Sequence, residues 1–272
     1  MTLKEVCDLI QLPDQVKTKV LSIGQETDIR VAEPYIVDLY HPDTWETAVK
    51  AIEQMIGGDP DGFRMLTLML KLAAKSYEEY EKKGISETIF VDTMKFCTRF
   101  VKENYDVFGT YAFVWGWWFP RQISLHEFRI RDLEYEMIHH NGKKKINIHI
   151  PGDADISLSS VKKSWSEARI FFNKYYPDYG DAEMVCDSWL LSPNLEKLLP
   201  ERSRILQFQK LFERIRVNEE SDAGIRWVYG RIDLEYKELP ERTSLQRTMK
   251  SYLLEGNHTG DGYGRLKEEL LR

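Results

Sequence analysis

Phe128-Arg-Ile-Arg-Asp-Leu-Glu-Tyr-Glu-Met-Ile138 alternates for most of its length between apolar and polar residues, and Lys145-Ile-Asn-Ile-His-Ile150 does the same shortly afterwards. Alternation with a period of two is typical of a half-buried β-strand. The residues between the two segments include Asn141-Gly142, the pair favoured in tight hairpin turns. We therefore predict that 128–138 and 145–150 are strands paired antiparallel.

The residues after this hairpin change from strand to helix spacing. Pro151 to Ile156 is a predicted loop, and Ser157 is a good N-cap for a helix with one apolar face that ends before Pro177. Further predicted strands are Met184–Leu191, Ile205–Val217 and Ile225–Leu234, and further predicted helices are Pro193–Leu198 and Ser244–Leu254. A glycine-rich turn with Gly256, Gly260, Gly262 and Gly264 is expected before a C-terminal helix. This order predicts a mixed sheet flanked by helices.

The first hundred residues have helical spacing instead. Helices are predicted at Leu3–Leu12, Thr44–Ile56, Asp61–Lys83 and from Ser86 to Val101, with 24–41 as a connection. We therefore expect an α+β chain with a helical N-terminal domain at 1–115 and a sheet domain at 116–272. The aromatic block 111–119 lies near this boundary, where it is suited either to lining a pocket for an apolar chain or an aromatic group or to forming core at the domain interface.

Composition excludes several classes of protein. The 38 basic and 44 acidic side chains give a net charge of −6, whereas a protein that binds nucleic acid in bulk needs a dense basic surface. We expect neither a signal peptide nor a membrane span, because no long apolar run is present. The three cysteines form no CxxC pair, which favours a reducing cytoplasm. No metal site is expected, because His139 and His140 are adjacent strand residues that face opposite ways.

Four segments in the second half carry a family resemblance. They are Ile148-His-Ile-Pro151, Cys186-Asp-Ser-Trp-Leu-Leu191, Leu198-Leu-Pro-Glu-Arg-Ser-Arg-Ile205 and Arg242-Thr-Ser-Leu-Gln-Arg247. Together they resemble bacterial GNAT-like acyltransferases, a family that joins an N-terminal helical acyltransferase domain to a C-terminal GNAT-like domain. The resemblance covers most of the chain and is strongest from about residue 120 onward.

The resemblance implies a fold, a co-substrate and a reaction. In GNAT enzymes one strand pairs with the pantetheine arm of acyl-CoA, the following loop and helix bind the pyrophosphate, and the next strand diverges at the thioester. The corresponding segments here would be 145–150, 151–157, 158–176 and 184–191. The chain would then transfer an acyl group from acetyl-CoA or another acyl-CoA to a small amine or a peptide amine. The alternative is a GNAT-like ligand-binding or interaction protein that has lost its acyl-CoA site.

The expected cofactor loop departs from the usual GNAT pattern. Gly152 would permit close backbone approach, and Ser157, Ser159 and Ser160 would donate hydroxyl groups at the positive end of a helix. The usual signature, Gln or Arg followed by x-x-Gly-x-Gly or Ala, is absent, and two acidic residues, Asp153 and Asp155, stand in the loop. Carboxylates near a pyrophosphate repel it, so the loss of the cofactor site stays open as an interpretation.

The candidate catalytic residues come from two strands. His149 is expected to act as the base that takes a proton from the amine, with Ser188 or Cys186 as the acid or, alternatively, as a nucleophile. The competing interpretation is a strand histidine held by one buried hydrogen bond, with Cys186 filling core space. The sequence leaves the oligomeric state undetermined.

Overall fold

A computed structural model describes residues 1–26, 29–140 and 142–271. The chain divides into two compact units, Met1–Arg129 and Ile130–Arg272. The sequence placed the boundary after residue 115, whereas this division follows Arg129.

The first unit is helical. Its helices are α1 Leu3–Leu9, α2 Asp14–Glu26, α3 Glu33–Leu39, α4 Trp45–Ile56, α5 Phe63–Lys83, α6 Glu87–Met94, α7 Phe96–Phe108 and α8 Pro120–Ile123. Helix α5 packs against α1, α2, α4, α6 and α8, and buries most of its first half, as its continuous apolar stripe predicts. Two expectations were wrong. The expected connection 24–41 contains α3, and the helix expected from Ser86 is divided into α6 and α7 at Lys95.

Part of the aromatic block near the expected boundary is core of the first unit. Phe113 and Phe119 are buried and contact Phe96, with ring centroids 6.1 and 4.8 Å away. Trp115 stacks on Phe100 at 4.3 Å, while Trp117 is about half exposed. These contacts stabilise the helical unit.

The strands form a mixed sheet with the order β1-β2-β3-β4-β6-β5, and the division between the units falls inside β1. Their bounds are β1 Glu127–Ile130, β2 Leu133–His140, β3 Lys143–His149, β4 Glu183–Ser188, β5 Phe212–Asn218 and β6 Asp261–Leu266. The other helices of the second unit are α9 Leu158–Tyr175, α10 Leu195–Leu198, α11 Arg204–Gln209, α12 Ala223–Tyr229 and α13 Ser244–Leu254. The predicted fold class is confirmed.

The predicted hairpin is confirmed in its pairing and corrected in its extent. Strands β2 and β3 pair antiparallel from His140–Lys143 to Glu134–His149. The expected single strand 128–138 is divided into β1 and β2 by a turn in which Arg131 has a φ of +59°. Asn141, on which the turn prediction partly rested, lies outside the described residues.

Three other expectations in the second unit were wrong. The expected strand 225–234 contains helix α12, and only the second half of 205–217 is a strand, because α11 occupies the first half. The expected glycine-rich turn contains β6, which pairs with β4 on one side and β5 on the other and is therefore an interior strand of the sheet. At Gly262 a Cβ atom would lie 2.8 Å from the Leu191 carbonyl oxygen, so the strand needs glycine for close packing.

Helix α9 covers one face of the sheet. The hydroxyl groups of Tyr135, on β2, and Ser164, on α9, are 2.9 Å apart, and Ser164 also donates to the Ile130 carbonyl oxygen at 2.6 Å. Tyr135, Ile146, Ile148, Met184 and Cys186 supply buried side chains to this face. Alternation therefore puts the polar residues of β2, β3 and β4 on the opposite face.

Candidate active site

Strands β3 and β4 pair in parallel only over a short stretch. The register runs from Lys145–Glu183 to Asn147–Val185. Beyond that point β3 continues to His149, whereas β4 continues to Ser188 along β6. The two strands therefore diverge after Asn147 and Val185, as the resemblance leads one to expect of a thioester site.

His149 lies at this divergence, on the polar face of the sheet. Its Nε2 is 2.8 Å from the Oε2 of Glu136 and 3.3 Å from the Nδ2 of Asn147. The side chains of His149 and Glu136 are 19% and 9% exposed, so the pair is mostly shielded from water. Since Glu134 is the register partner of His149, Glu136 reaches the imidazole as a diagonal neighbour across the hairpin.

Asp187 is a further acidic group on this face. It lies two residues beyond Val185, the register partner of Asn147, and therefore on the side of the sheet that carries His149. Burial raises the pKa of the Asp187 carboxyl, and the neighbouring Asp261 raises it further, whereas Arg216 and His149 oppose the increase. Asp187 and His149 therefore share one face of the sheet and interact electrostatically.

The other two catalytic candidates, Cys186 and Ser188, are not brought together with His149. Cys186 shares a face with Met184, whose register partner is Ile146, and is completely buried on the side packed by α9. Burial raises the pKa of its thiol strongly. Ser188 accepts a hydrogen bond from the Leu190 N–H at 3.1 Å and caps the short helix that follows. Their catalytic roles stay predictions.

Helix α9 begins at the loop that was expected to bind the pyrophosphate. Ser157 is its N-cap, as predicted, and accepts a hydrogen bond from the N–H of Ser160. The Ser157 hydroxyl lies 3.3 Å from that of Ser159. Gly152 lies at the surface, in a turn closed by a 3.0 Å hydrogen bond from the Ala154 N–H to the Pro151 carbonyl oxygen.

One acidic side chain of the loop already occupies the end of α9. Asp155 accepts hydrogen bonds from the Ser157 N–H at 3.0 Å and the Ser157 hydroxyl at 2.9 Å, and pairs with Arg204 at 3.2 Å. These hydrogen bonds lower the pKa of Asp155 below its ordinary value, with a smaller contribution from Arg204. A carboxylate therefore stands where the resemblance leads one to expect an anionic ligand.

A cavity of 820 Å³ lies elsewhere in the second unit, beside α9 and the C-terminal residues. Its lining includes Trp165, Arg169 and Glu268, and Glu268 accepts hydrogen bonds from both of the other side chains. None of the predicted site residues lines it, although the structure describes them all.

Glu136 and Asp187 were not predicted from the sequence. Alternation along the strands could have placed both on the polar face of the sheet. Glu136 stands between the buried residues Tyr135 and Met137, and Asp187 follows the buried Cys186. What the sequence lacked was the register that brings both carboxylates to His149.

Comparisons with known proteins agree with this architecture. A family model described as the GNAT-like C-terminal domain matches residues 73–266, and one described as the N-acyltransferase N-terminal domain matches residues 1–125. No curated protein sequence matches the chain.

Several solved structures share the fold. A mutant acyltransferase in complex with octanoyl-CoA superposes with a TM-score of 0.78 at 18% identity, over 97% of this chain and 86% of that chain. An acyltransferase in complex with decanoyl-CoA and teicoplanin has a TM-score of 0.72 at 18% identity, over 98% and 99% of the two chains. An acyltransferase in complex with decanoyl-CoA has a TM-score of 0.70 at 20% identity, over 98% of this chain and 99% of that chain. Because the GNAT-like family model covers more than half of the sequence, the chain belongs to the GNAT-like acyltransferase family with an N-acyltransferase N-terminal domain.

Proposed function

We propose that the protein is an acyl-CoA-dependent N-acyltransferase that acts on a small amine or a peptide amine. The observation that carries this proposal is the His149–Glu136 pair at the divergence of β3 and β4. The acyl-CoA complexes formed by proteins of the same fold support acyl-CoA as the co-substrate. The neighbour crystallised with teicoplanin supports a peptide-type acceptor as one possibility within the class.

The chemistry follows from the groups at the divergence. Acyl-CoA would lie with its pantetheine along the unpaired edge of β3 and its thioester between the two strands. The acceptor amine attacks the thioester carbonyl, a C–N bond forms and the C–S bond breaks. His149 takes the proton that the amine loses, and the leaving thiolate of CoA takes up a proton. Glu136 stabilises the imidazolium that forms, as a carboxylate does for a catalytic histidine.

The groups proposed to hold the pyrophosphate are Ser157, Ser159 and Ser160, at the N-terminal end of α9, and Gly152, in the loop that leads into it. Ser188 and Cys186 stay candidates for the acid that protonates the CoA thiolate, on sequence grounds alone. The geometry that supports His149 does not extend to them.

A second candidate function rests on Asp155. Its carboxylate already satisfies donors at the end of α9, which favours a GNAT-like ligand-binding or interaction protein without an acyl-CoA site. With either function we place the protein in the cytoplasm, since its three cysteines are free and buried. Among the described residues, no helix combines the length and apolar character needed to cross a membrane.

Thermal unfolding with and without acetyl-CoA, octanoyl-CoA and decanoyl-CoA distinguishes the two functions. An acyl-CoA at 100 times its dissociation constant stabilises the protein by about 2.7 kcal/mol. We expect this shift in the wild type, and a much smaller one in Gly152→Val, because a β-branched side chain blocks close approach to the loop. Gly58→Val is the control, since a Cβ atom there meets nothing within 4 Å. If an acyl-CoA stabilises the protein and mass spectrometry detects an acylated amine, the acyltransferase function is supported. If no acyl-CoA stabilises the protein, the second function is supported.

A further inference from the structure

Three side chains form a row across the polar face of the sheet. Asp187 on β4 and Arg216 on β5 are both register partners of Tyr263 on β6, so the three lie side by side. The Nη2 of Arg216 donates to the Oδ2 of Asp187 at 3.2 Å, and the guanidinium lies 5.8 Å from the centre of the Tyr263 ring. Asp187 also lies on the face of the sheet that carries His149, since the two residues each lie two positions beyond the register pair Asn147–Val185.

The ion pair in this row is open to solvent. The side chains of Arg216 and Asp187 are 68% and 50% exposed, and solvent screening makes such a pair contribute little to folding. The pair does put a carboxylate and a guanidinium 3.2 Å apart on the face of the sheet that carries the proposed base. Asp261, two residues before Tyr263 on β6 and therefore on the same face, adds a second carboxylate to this end of the row.

On the basis of the proposed acyltransferase function, we propose that the acceptor is an amino acid whose amine and carboxylate are separated by one or two carbons. Asp187 binds its ammonium group and Arg216 binds its carboxylate, so the acceptor replaces the internal ion pair with two external ones. Arg suits this role because its planar guanidinium binds a carboxylate through two parallel hydrogen bonds. The Tyr263 ring forms the floor between the two charged groups.

This arrangement also orders the proton transfers. The ammonium bound by Asp187 gives one proton to solvent to become a free amine, and gives a second to His149 as the C–N bond forms. The C–S bond breaks at the same carbon, and the CoA thiolate takes up a proton to leave as the thiol. The products are an N-acyl amino acid and CoA, with no oxidant or reductant required.

The test compares two amines that differ only in the carboxylate. With octanoyl-CoA as donor, phenylalanine and phenethylamine are supplied in turn, and kcat/KM is measured from N-octanoyl product by mass spectrometry. We expect phenylalanine to be preferred by at least about tenfold, which is 1.4 kcal/mol. Arg216→Ala should abolish this preference by raising the KM for phenylalanine alone, and Arg216→Lys should restore part of it. Arg214→Ala is the control: Arg214 is on the same strand and pairs with Glu196 at 2.7 Å, away from the row.

Each result has a consequence. Equal use of the two amines, or an equal loss for both in Arg216→Ala, overturns the amino acid assignment and leaves the acyltransferase proposal intact. If acyl-CoA binds but neither amine reacts, binding of phenylalanine to the octanoyl-CoA complex is measured by calorimetry, and no binding overturns the assignment. If no acyl-CoA stabilises the protein, it is the proposed function that fails.

Discussion

The Nε2 of His149 and the Oε2 of Glu136 are hydrogen-bonded at 2.8 Å across the β2–β3 hairpin. When Glu136 is ionised and the ring is neutral, this contact is an N–H at Nε2 donating to the carboxylate, which leaves Nδ1 as the basic nitrogen. A buried carboxylate that fixes a histidine tautomer in this way is the arrangement expected of an oriented base.

Replacing His149 with alanine should lower kcat about 10²- to 10⁴-fold, because the amine then loses its proton without a base. The dissociation constant for acyl-CoA should stay within a factor of two or so, as the pyrophosphate and pantetheine contacts are retained. Rates are measured by release of CoA thiol and affinity by calorimetry. His139→Ala is the matched control, since His139 contacts Tyr179 and alternates away from the polar face. Full activity in His149→Ala would leave substrate positioning as the only remaining role.

Replacing Glu136 with glutamine should lower kcat about 10²-fold and change the pH profile. A carboxylate favours the charged imidazolium, so without it the acidic limb of the pH–rate profile moves to lower pH. The measurement is kcat/KM between pH 5 and 9. Glu183→Gln serves as the control, because Glu183 lies on the same face but pairs with Lys145 at 3.3 Å. An unchanged profile with reduced stability would assign Glu136 a structural role alone.

Asp155→Asn should tighten acyl-CoA binding roughly fivefold, because it removes a negative charge from the end of α9 where the pyrophosphate is proposed to bind. Since its hydrogen bonds lower the pKa of Asp155, the wild-type carboxylate stays charged down to unusually acidic pH. Below that pH the wild type should gain affinity and approach the variant. Asp178→Asn controls for loss of a charge, as Asp178 pairs with Lys144 at 2.5 Å and follows the other end of α9. Equal affinities for wild type and Asp155→Asn would move the pyrophosphate elsewhere.

The three cysteines should resist labelling by a thiol reagent in the native protein. Burial raises the pKa of Cys7 to about 12 and raises those of Cys97 and Cys186 strongly as well. Thiolate is the reactive form, so at pH 8 almost none is present. Ellman's reagent should detect no thiols at first and all three in guanidinium chloride. Rapid reaction of Cys186 alone would mean that β4 opens to solvent and would revive its candidacy as a nucleophile.

The elements that the sequence predicted well are those with a local physical signal. Helix α9 has an N-cap serine and a periodic apolar face, and α13 has a complete capping box between Thr243 and Gln246. The hairpin was visible from alternation because one of its faces is packed and the other polar.

The failures have tertiary causes. Strand β6 is rich in glycine because the Leu191 carbonyl packs on Gly262, and such closeness has no signature in the sequence. Helices α11 and α12 are short and apolar, and runs of that length do not distinguish helix from strand. For the candidate site, His149 was identified from its residue type, whereas Glu136 and Asp187 depend on strand register, which becomes known only when the sheet is assembled.

Two glycines beside helix α5 give a matched test of backbone packing. Gly62 and Gly84 flank its two ends, with φ values of +71° and +70°. A Cβ atom on Gly84 would meet nothing within 4 Å, so Gly84→Ala should cost only the strain of the left-handed conformation, about 1–2 kcal/mol. A Cβ atom on Gly62 would lie 1.8 Å from the Phe113 carbonyl oxygen, and the Phe113 N–H is held by the Asp61 carbonyl at 2.8 Å. We therefore expect Gly62→Ala to cost at least about 3 kcal/mol in urea unfolding, because the Phe113 backbone must move and its hydrogen bond must break. Equal costs for the two variants would mean that the segment around Phe113 moves away without penalty.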